Sequence, residues 1–231
     1  MMNIENKVLS FLKTNNFNYK FIKVDDLVFS PFTRFKCMQC ANYHSTYGCP
    51  PFTPTWKTAK QLLAEYDKLL LVWRYIDLKK YIDNLVVNHK MEYSPRVLLM
   101  AQTVCDRLAK GFDKYVLECV KMLESSGFEA IALLSGGGCR RCKRVGCSLW
   151  QQRKMDKDSG EVYYKPRPCK YVKPESAMEA WGIAVYDTLR KLGIEFEPVP
   201  RTKAICVMLL AWKEKESRNV KKVGIERWLY V

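Results

Sequence analysis

The chain has 231 residues, 48% of them hydrophobic, and 39 basic against 24 acidic residues give it a net charge of +15 at pH 7. A chain of this length can bury a stable core without covalent cross-links, so its ten cysteines are not needed as a disulfide framework. No apolar signal region opens the sequence, and the longest apolar run, 204–212, is too short to span a bilayer, which predicts a cytoplasmic protein with reduced thiols and no membrane segment.

Hydrophobic periodicity predicts a single domain over residues 1–231, with a mixed sheet, flanking helices and cysteine-rich metal-binding loops in an α+β or α/β fold. The predicted helices cover 4–14, 55–66, about 94–125 with a candidate break at Gly111, and a segment that begins at a capping box of Ser176 and Glu179 and ends near Gly193. The predicted extended segments cover 19–29, 69–73, 130–134 and 204–212. The cysteine-rich loops lie at about 34–54 and 136–175, so the second loop follows the carboxyl end of a strand, where ligand sites of α/β proteins commonly lie.

The first cysteine set is a C-x2-C-x8-C-P-P run formed by Cys37, Cys40 and Cys49. A cysteine pair separated by two residues lets one turn direct two thiolates at the same metal. The nearest further ligand, His44, gives a C-x2-C-x3-H-x4-C spacing that is one residue short of a zinc knuckle. The cysteine–proline ending is instead typical of ferredoxin-like runs, and a four-iron cluster held by three thiolates leaves one iron open to substrate. Both interpretations stay open at this point, as does a fourth ligand from elsewhere in the chain.

The second cysteine set has a C-x2-C-x4-C run, Cys139, Cys142 and Cys147, and a distal Cys169 that is separated from Cys147 by 21 residues. Three glycines at 136–138 precede the run and allow backbone amides to point at a cluster. A last ligand beside a proline, here Pro168, is common in iron–sulfur proteins, whereas a zinc ribbon more often has two C-x2-C pairs. The pattern favours an iron–sulfur cluster over structural zinc.

Basic residues are concentrated around the second set, where residues 139–173 contain eleven basic and three acidic side chains. Nearby cations offset the negative charge of a thiolate-bound cluster. The remaining charge would attract an acidic redox partner, or a nucleic-acid backbone through segment 139–173. A solvated basic surface is the alternative interpretation.

The other cysteines and histidines carry weaker signals. Cys105, Cys119 and Cys206 occupy apolar helix or strand positions and are interpreted as core residues, and His89 is interpreted as a surface residue. The candidates for lining a site near the cysteine runs are Asp25, Asp26, Arg34 and Glu179. No phosphate loop, dinucleotide fingerprint or zinc-protease motif is present in the sequence, so no catalytic residue is assigned.

Several motifs together resemble one known family. They are Asp25-Asp26, Cys37-x2-Cys40, Tyr47-Gly48-Cys49-Pro50-Pro51, Gly137-Gly138-Cys139-x2-Cys142, Pro168-Cys169 and Met178-Glu179-Ala180-x-Gly182-Ile183. In these motifs, and over most of its length, the chain resembles the bacterial and archaeal proteins of domain of unknown function 2284, which are described as predicted metal-binding proteins. The resemblance implies metal binding through these cysteines, as iron–sulfur, in a cytoplasmic protein of an anaerobic or archaeal lineage. The chain departs from the family pattern at Lys170, at Ala177 and in a long basic insertion between Cys147 and Cys169.

The sequence therefore predicts an iron–sulfur protein with one or two [4Fe-4S] clusters that acts in electron transfer or as a small oxidoreductase. An open iron at the three-thiolate site would make that site catalytic. The alternative is a zinc-stabilised RNA-binding module, in which Zn takes the place of the clusters. In either case the predicted ligands are Cys37, Cys40, Cys49, Cys139, Cys142, Cys147 and Cys169.

Overall fold

A five-stranded mixed sheet forms the centre of the molecule. The computed structural model describes residues 3–40, 43, 46–88, 94–136, 139, 142, 153–155, 162–164, 169 and 175–215. Its strands are β1 (Asn18–Ile22), β2 (Lys68–Asp77), β3 (Phe128–Leu134), β4 (Arg153–Met155), β5 (Val162–Tyr164), β6 (Ser176–Ala177) and β7 (Lys203–Glu214). The central sheet has the order β1-β2-β7-β3-β6, while β4 and β5 form a separate two-stranded hairpin. All neighbours in the central sheet are antiparallel except β3 and β6, which are parallel.

Helices cover both faces of this sheet. They are α1 (Ile4–Thr14), α2 (Pro31–Met38), α3 (Trp56–Ala64), α4 (Leu78–Asn88), α5 (Pro95–Ser125) and α6 (Val185–Lys191), with short 3₁₀ helices at Val24–Asp26 and Glu179–Trp181. In the described ranges, no helix is both long enough and apolar enough to cross a membrane. The predicted α+β class with a mixed sheet and flanking helices is confirmed.

Alternating side chains of the central strands supply two separate apolar cores. Leu70 and Val72 of β2 pack on one face with α1, α4 and α5, and Leu69 and Leu71 pack on the other face with α3 and α6. The sheet therefore has a complete core on each side, and the cysteine-bearing segments lie at its edge, beyond the carboxyl end of β3.

Most predicted elements are present, and several are longer than predicted. The long helix begins as expected, because the Ser94 hydroxyl accepts the Val97 N–H (3.5 Å) and Pro95 occupies the first turn. It continues through Gly111 without the predicted break. The last strand, β7, pairs with β2 from Lys68 to Asp77, so both strands extend beyond their predicted ends.

Two predicted elements are wrong. The extended segment 19–29 ends as a strand at Ile22, because the Asp26 carboxylate accepts the Lys23 N–H (2.8 Å) and stabilises a 3₁₀ helix instead. Ser176 does not cap a helix, since it lies in β6 beside Leu133, and α6 begins only at Val185. Two helices, α2 and α4, were not predicted.

Candidate metal centre

The first cysteine set lies at the carboxyl end of α2 and in the loop that follows it. Cys37 is in the last turn of the helix, and the Cys40 N–H donates to its carbonyl (3.1 Å). Cys49 lies in a second turn, where its N–H donates to the Thr46 carbonyl (3.0 Å). Cys40 is exposed, Cys37 is partly buried and Cys49 is buried. The predicted turn geometry therefore applies to Cys40 and Cys49, whereas Cys37 is on a helix.

The other two thiols of the first set lie near enough to Cys37 for their charges to act on it. The pKa of Cys37 is raised to about 11, mainly by burial and also by the charges of Glu179, Cys40 and Cys49, while Arg34 lowers it. Burial is also the main cause that lowers the pKa of the Arg34 guanidinium, and Cys37 raises it. The Cys37 thiol therefore stays protonated in the metal-free protein, and it would have to lose this proton in order to bind a metal.

The short 3₁₀ helix Glu179–Trp181, with Gly182 after it, binds the segments that precede and follow the first cysteine set. The Ser30 N–H before α2 donates to the Gly182 carbonyl (2.8 Å), and the buried Thr53 hydroxyl, beyond Cys49, donates to the Ala180 carbonyl (2.8 Å). Gly182 has φ +77°, and a β-carbon there would lie 2.6 Å from the Trp56 Cβ, so this position requires glycine.

Two of the candidate lining residues, Arg34 and Glu179, reach this neighbourhood. A terminal nitrogen of Arg34 donates to the Thr53 carbonyl (3.4 Å), and the charge of the guanidinium acts to lower the pKa of Cys37. Burial raises the pKa of Glu179 to about 7. The other two candidates lie elsewhere: Asp25 pairs with Lys60 (2.9 Å) on the surface, and Asp26 caps the 3₁₀ helix.

The second cysteine set begins just past the carboxyl end of β3. Asp113, a buried residue of α5, accepts hydrogen bonds from the Ser135 N–H (3.2 Å) and the Ser135 hydroxyl (2.9 Å), and this fixes the start of the loop. Cys139, Cys142 and Cys169 are each partly buried. Cys147, His44, His89 and most of the basic segment 139–173 lie outside the described residues.

The two cysteine loops are in direct contact. The Thr46 hydroxyl donates to the Cys49 Sγ (3.6 Å) and accepts the Cys139 N–H (3.2 Å). A β-carbon added at Gly48 would lie 1.9 Å from the Glu175 carbonyl oxygen and 3.0 Å from the Cys139 Cβ. Sequence reasoning did not identify Thr46 as part of the site, and it used Gly48 only as a motif residue.

The donors in this region fit a soft metal, because they are thiols. Within the described part of the chain, no group of three or more histidine, cysteine, aspartate or glutamate side chains is arranged so that it could hold a metal ion as it stands. The fit therefore rests on the chemistry and proximity of the thiols and not on a formed coordination sphere.

The remaining cysteines belong to the apolar core, as the sequence predicts. Cys105 and Cys119 lie on α5 and Cys206 lies on β7, all of them buried. Burial raises the pKa values of Cys119 and Cys206 to about 12. The apolar surroundings of Cys119 and Cys206 therefore keep these two thiols protonated.

A family model described as a predicted metal-binding protein (DUF2284) matches residues 20–211. The chain belongs to this family. The match includes both cysteine loops and confirms the resemblance found in the motifs. The description names no particular metal. No curated protein and no solved structure is significantly similar to the chain.

Proposed function

We propose that this protein binds one or two [4Fe-4S] clusters and acts in electron transfer or as a small oxidoreductase in the cytoplasm. Its cluster-binding residues would be drawn from Cys37, Cys40, Cys49, Cys139, Cys142, Cys147 and Cys169. Membership of a metal-binding family supports the coarse part of this proposal, and the chemistry of the donors supports the choice of metal.

One observation carries the proposal: a loop bearing further cysteines touches the first set, because Thr46 bonds to both the Cys49 Sγ and the Cys139 N–H and Gly48 lies against the Cys139 Cβ. Soft, thiolate-rich donor sets favour iron–sulfur clusters or zinc over hard cations. The Cys49-Pro50-Pro51 ending and the single histidine in the run favour the cluster.

The side chains around the first set have distinct expected roles. A bound cluster would accept and release single electrons. Arg34 would offset part of the negative charge of the thiolates, since its guanidinium lies within electrostatic range of Cys37. Glu179, whose pKa is raised to about 7 by burial, would hold or release a proton on its carboxyl oxygen near neutral pH.

The exposed face of α2 is where we expect a redox partner to approach. Phe32 and Phe35 are 71% and 57% exposed, their rings lie 5.9 Å apart, and Met38 continues the same stripe at 56% exposure. Lys36 is the charged residue of the last helical turn, and the helix has no acidic residue in its first turn. An apolar stripe with basic surroundings, next to Cys37, fits an acidic electron-transfer protein.

The test is the content of metal and acid-labile sulfide per chain, measured on protein purified without oxygen. Two clusters would give about eight irons and eight sulfides, and Cys49→Ser and Cys142→Ser would each lower both values by about half. Cys105→Ala is the matched control, because this core cysteine should leave the metal content unchanged. Zinc without sulfide would overturn the iron–sulfur assignment.

That zinc outcome would favour the zinc-stabilised RNA-binding module. Its own measurement is the affinity for single-stranded RNA as a function of salt. Binding through the basic segment 139–173 should weaken steeply as salt rises, because phosphate contacts release counterions. A flat response would remove the RNA-binding alternative.

A further inference from the structure

We infer that Cys139 supplies the fourth thiolate to the site of Cys37, Cys40 and Cys49, so that this metal site is built from both cysteine loops. The inference rests on the proposed role of the cysteines as metal ligands, and it changes how these cysteines are divided between the two metal sites. Sequence spacing alone groups Cys139 with Cys142, whereas the fold places Cys139 against the first set.

The first support is the bridge made by Thr46. Its hydroxyl oxygen lies 3.6 Å from the Cys49 Sγ and 3.2 Å from the Cys139 backbone nitrogen. One oxygen atom therefore separates the sulfur of one loop from the backbone of the other. Thr46 acts as a positioning residue, because it donates to the sulfur and accepts from the amide at the same time.

The second support is the backbone contact at Gly48, the residue before Cys49. The 3.0 Å from a β-carbon built there to the Cys139 Cβ is tighter than ordinary side-chain contacts, so the two loops touch with no side chain between them. This contact is independent of the Thr46 hydroxyl, and it places the Cβ of Cys139, from which its sulfur extends, beside the turn that carries Cys49.

The two contacts place Cys139 on the Cys49 side of the first set. Division of one cysteine run between two sites has precedent in two-cluster ferredoxins, where the last cysteine of a compact run ligates the other cluster. Cys142, Cys147 and Cys169 would then form the remaining set.

The test is thiol protection in the metal-loaded Cys142→Ser protein. The full chain is purified without oxygen, treated with iodoacetamide, and the labelling rate of each cysteine is measured by mass spectrometry. We expect Cys139 to be protected together with Cys37, Cys40 and Cys49, and to become labelled at least tenfold faster after the metal is removed. Labelling of Cys139 in the loaded variant at the metal-free rate would overturn the inference.

Two further variants ensure that the test does not depend on Cys142→Ser alone: one alters the second cysteine set again, and the other alters the first set. Cys147→Ser asks the same question if Cys142→Ser fails to fold. In Cys49→Ser, Cys139 should lose its protection along with Cys37 and Cys40, and continued protection of Cys139 would assign it to the second set. A Cys49→Ser/Cys139→Ser double variant should retain as much metal as either single variant, because both substitutions remove the same site.

Metal identity is measured on the same samples, so the two proposals fail separately. Protection of Cys139 by zinc, with no sulfide, would support the division of the cysteines and contradict the iron–sulfur assignment. Iron and sulfide with an unprotected Cys139 would support the iron–sulfur assignment and contradict the proposed division of the cysteines.

Discussion

At the scale of single residues, Thr46 illustrates how one hydroxyl can serve two loops. Hydrogen bonds to cluster sulfurs raise reduction potentials because they stabilise the additional electron. The Thr46 hydroxyl makes such a bond to the Cys49 Sγ and would also keep Cys139 in place through its amide. A substitution here should therefore alter the electronic properties of the site as well as its assembly.

If the proposed cluster is bound, we expect Thr46→Val to lower its reduction potential by about 40 mV, the equivalent of one hydrogen bond of about 1 kcal/mol for a one-electron couple. Thr46→Ser keeps the hydroxyl and should stay close to the wild-type value. The measurement is a redox titration followed by electron paramagnetic resonance. Equal potentials in the valine and serine variants would show that the hydroxyl does not act on the cluster.

Glu179 gives a prediction in pH. Its pKa is raised from 4.5 to about 7 by burial, so the folded protein binds this proton more tightly than the unfolded chain does. The stabilising contribution of the protonated carboxyl is full below about pH 4.5 and is lost as the pH rises to about 7. In the metal-free wild type, the unfolding free energy should therefore fall by up to about 3 kcal/mol as the pH rises from about 4.5 to about 7. Metal-free Glu179→Gln should not show this decrease. Denaturant unfolding of both proteins at pH 4.5 and pH 7.5 measures it, and parallel pH profiles would contradict it.

At the scale of elements, the joint between the two loops can be tested with a pair of glycines. Gly48→Ala would place a β-carbon 1.9 Å from the Glu175 carbonyl oxygen, so the loops must move apart. We expect a loss of about 1–3 kcal/mol of unfolding free energy and reduced metal content. Gly111→Ala is the control, because it lies within α5 with open space around it and should stabilise the protein by up to about 1 kcal/mol.

Thermal unfolding and metal analysis of both glycine variants are the measurements. A Gly48→Ala protein with wild-type stability and metal content would show that the loops are not held in the contact described here.

The anchor of the second loop lies in α5. Asp113→Ala removes the acceptor of two Ser135 hydrogen bonds and should cost about 2–3 kcal/mol of unfolding free energy. Asp113→Asn keeps a carbonyl oxygen and should cost less. Glu118→Ala, which breaks only an exposed pair with Lys121 on the same helix, should change stability by less than about 1 kcal/mol. Denaturant unfolding compares the three, and equal losses at Asp113 and Glu118 would contradict the anchor.

Local signals in the sequence predicted the regular elements well and the site only in part. The Ser94-Pro95 pair predicts the start of α5 correctly. Ser30-Pro31 has the same signature and starts α2, a helix that was not predicted, with the Ser30 hydroxyl accepting the Phe32 N–H (3.2 Å). The apparent capping box at Ser176 was misleading because pairing with Leu133 across the sheet overrides it. The secondary structure of residues 176–177 is therefore determined by their tertiary contacts and not by the local sequence.

The contact between the two loops was not predictable from spacing for the same reason. Thr46 and Cys139 are 93 residues apart, and only the fold brings them together. The cysteine pattern predicts which residues bind metal, whereas the division of these residues between sites depends on how β3, β6 and α2 are arranged.

At the scale of the whole molecule, the sheet has an apolar core on each face that does not include the cysteines of the two loops, apart from the buried Cys49 at its margin. Removing the metal should therefore loosen the loops and leave the sheet folded. We expect an almost unchanged far-ultraviolet circular dichroism spectrum and faster proteolysis within 37–53. Limited proteolysis with mass spectrometry identifies the cut sites, and global unfolding on metal removal would show that the metal is required for the fold.

The position of β7 has a consequence for how the protein is made. β7 is the last of the described strands in the chain, yet it lies between β2 and β3 and joins them into one sheet. Both cysteine loops are therefore synthesised before the strand that completes their support, and until β7 is in place they emerge as unassembled thiols. Metal insertion during biosynthesis is then expected to follow the synthesis of residues 203–214, so a cell must keep the cysteine thiols of both loops reduced and unligated until that strand has been made.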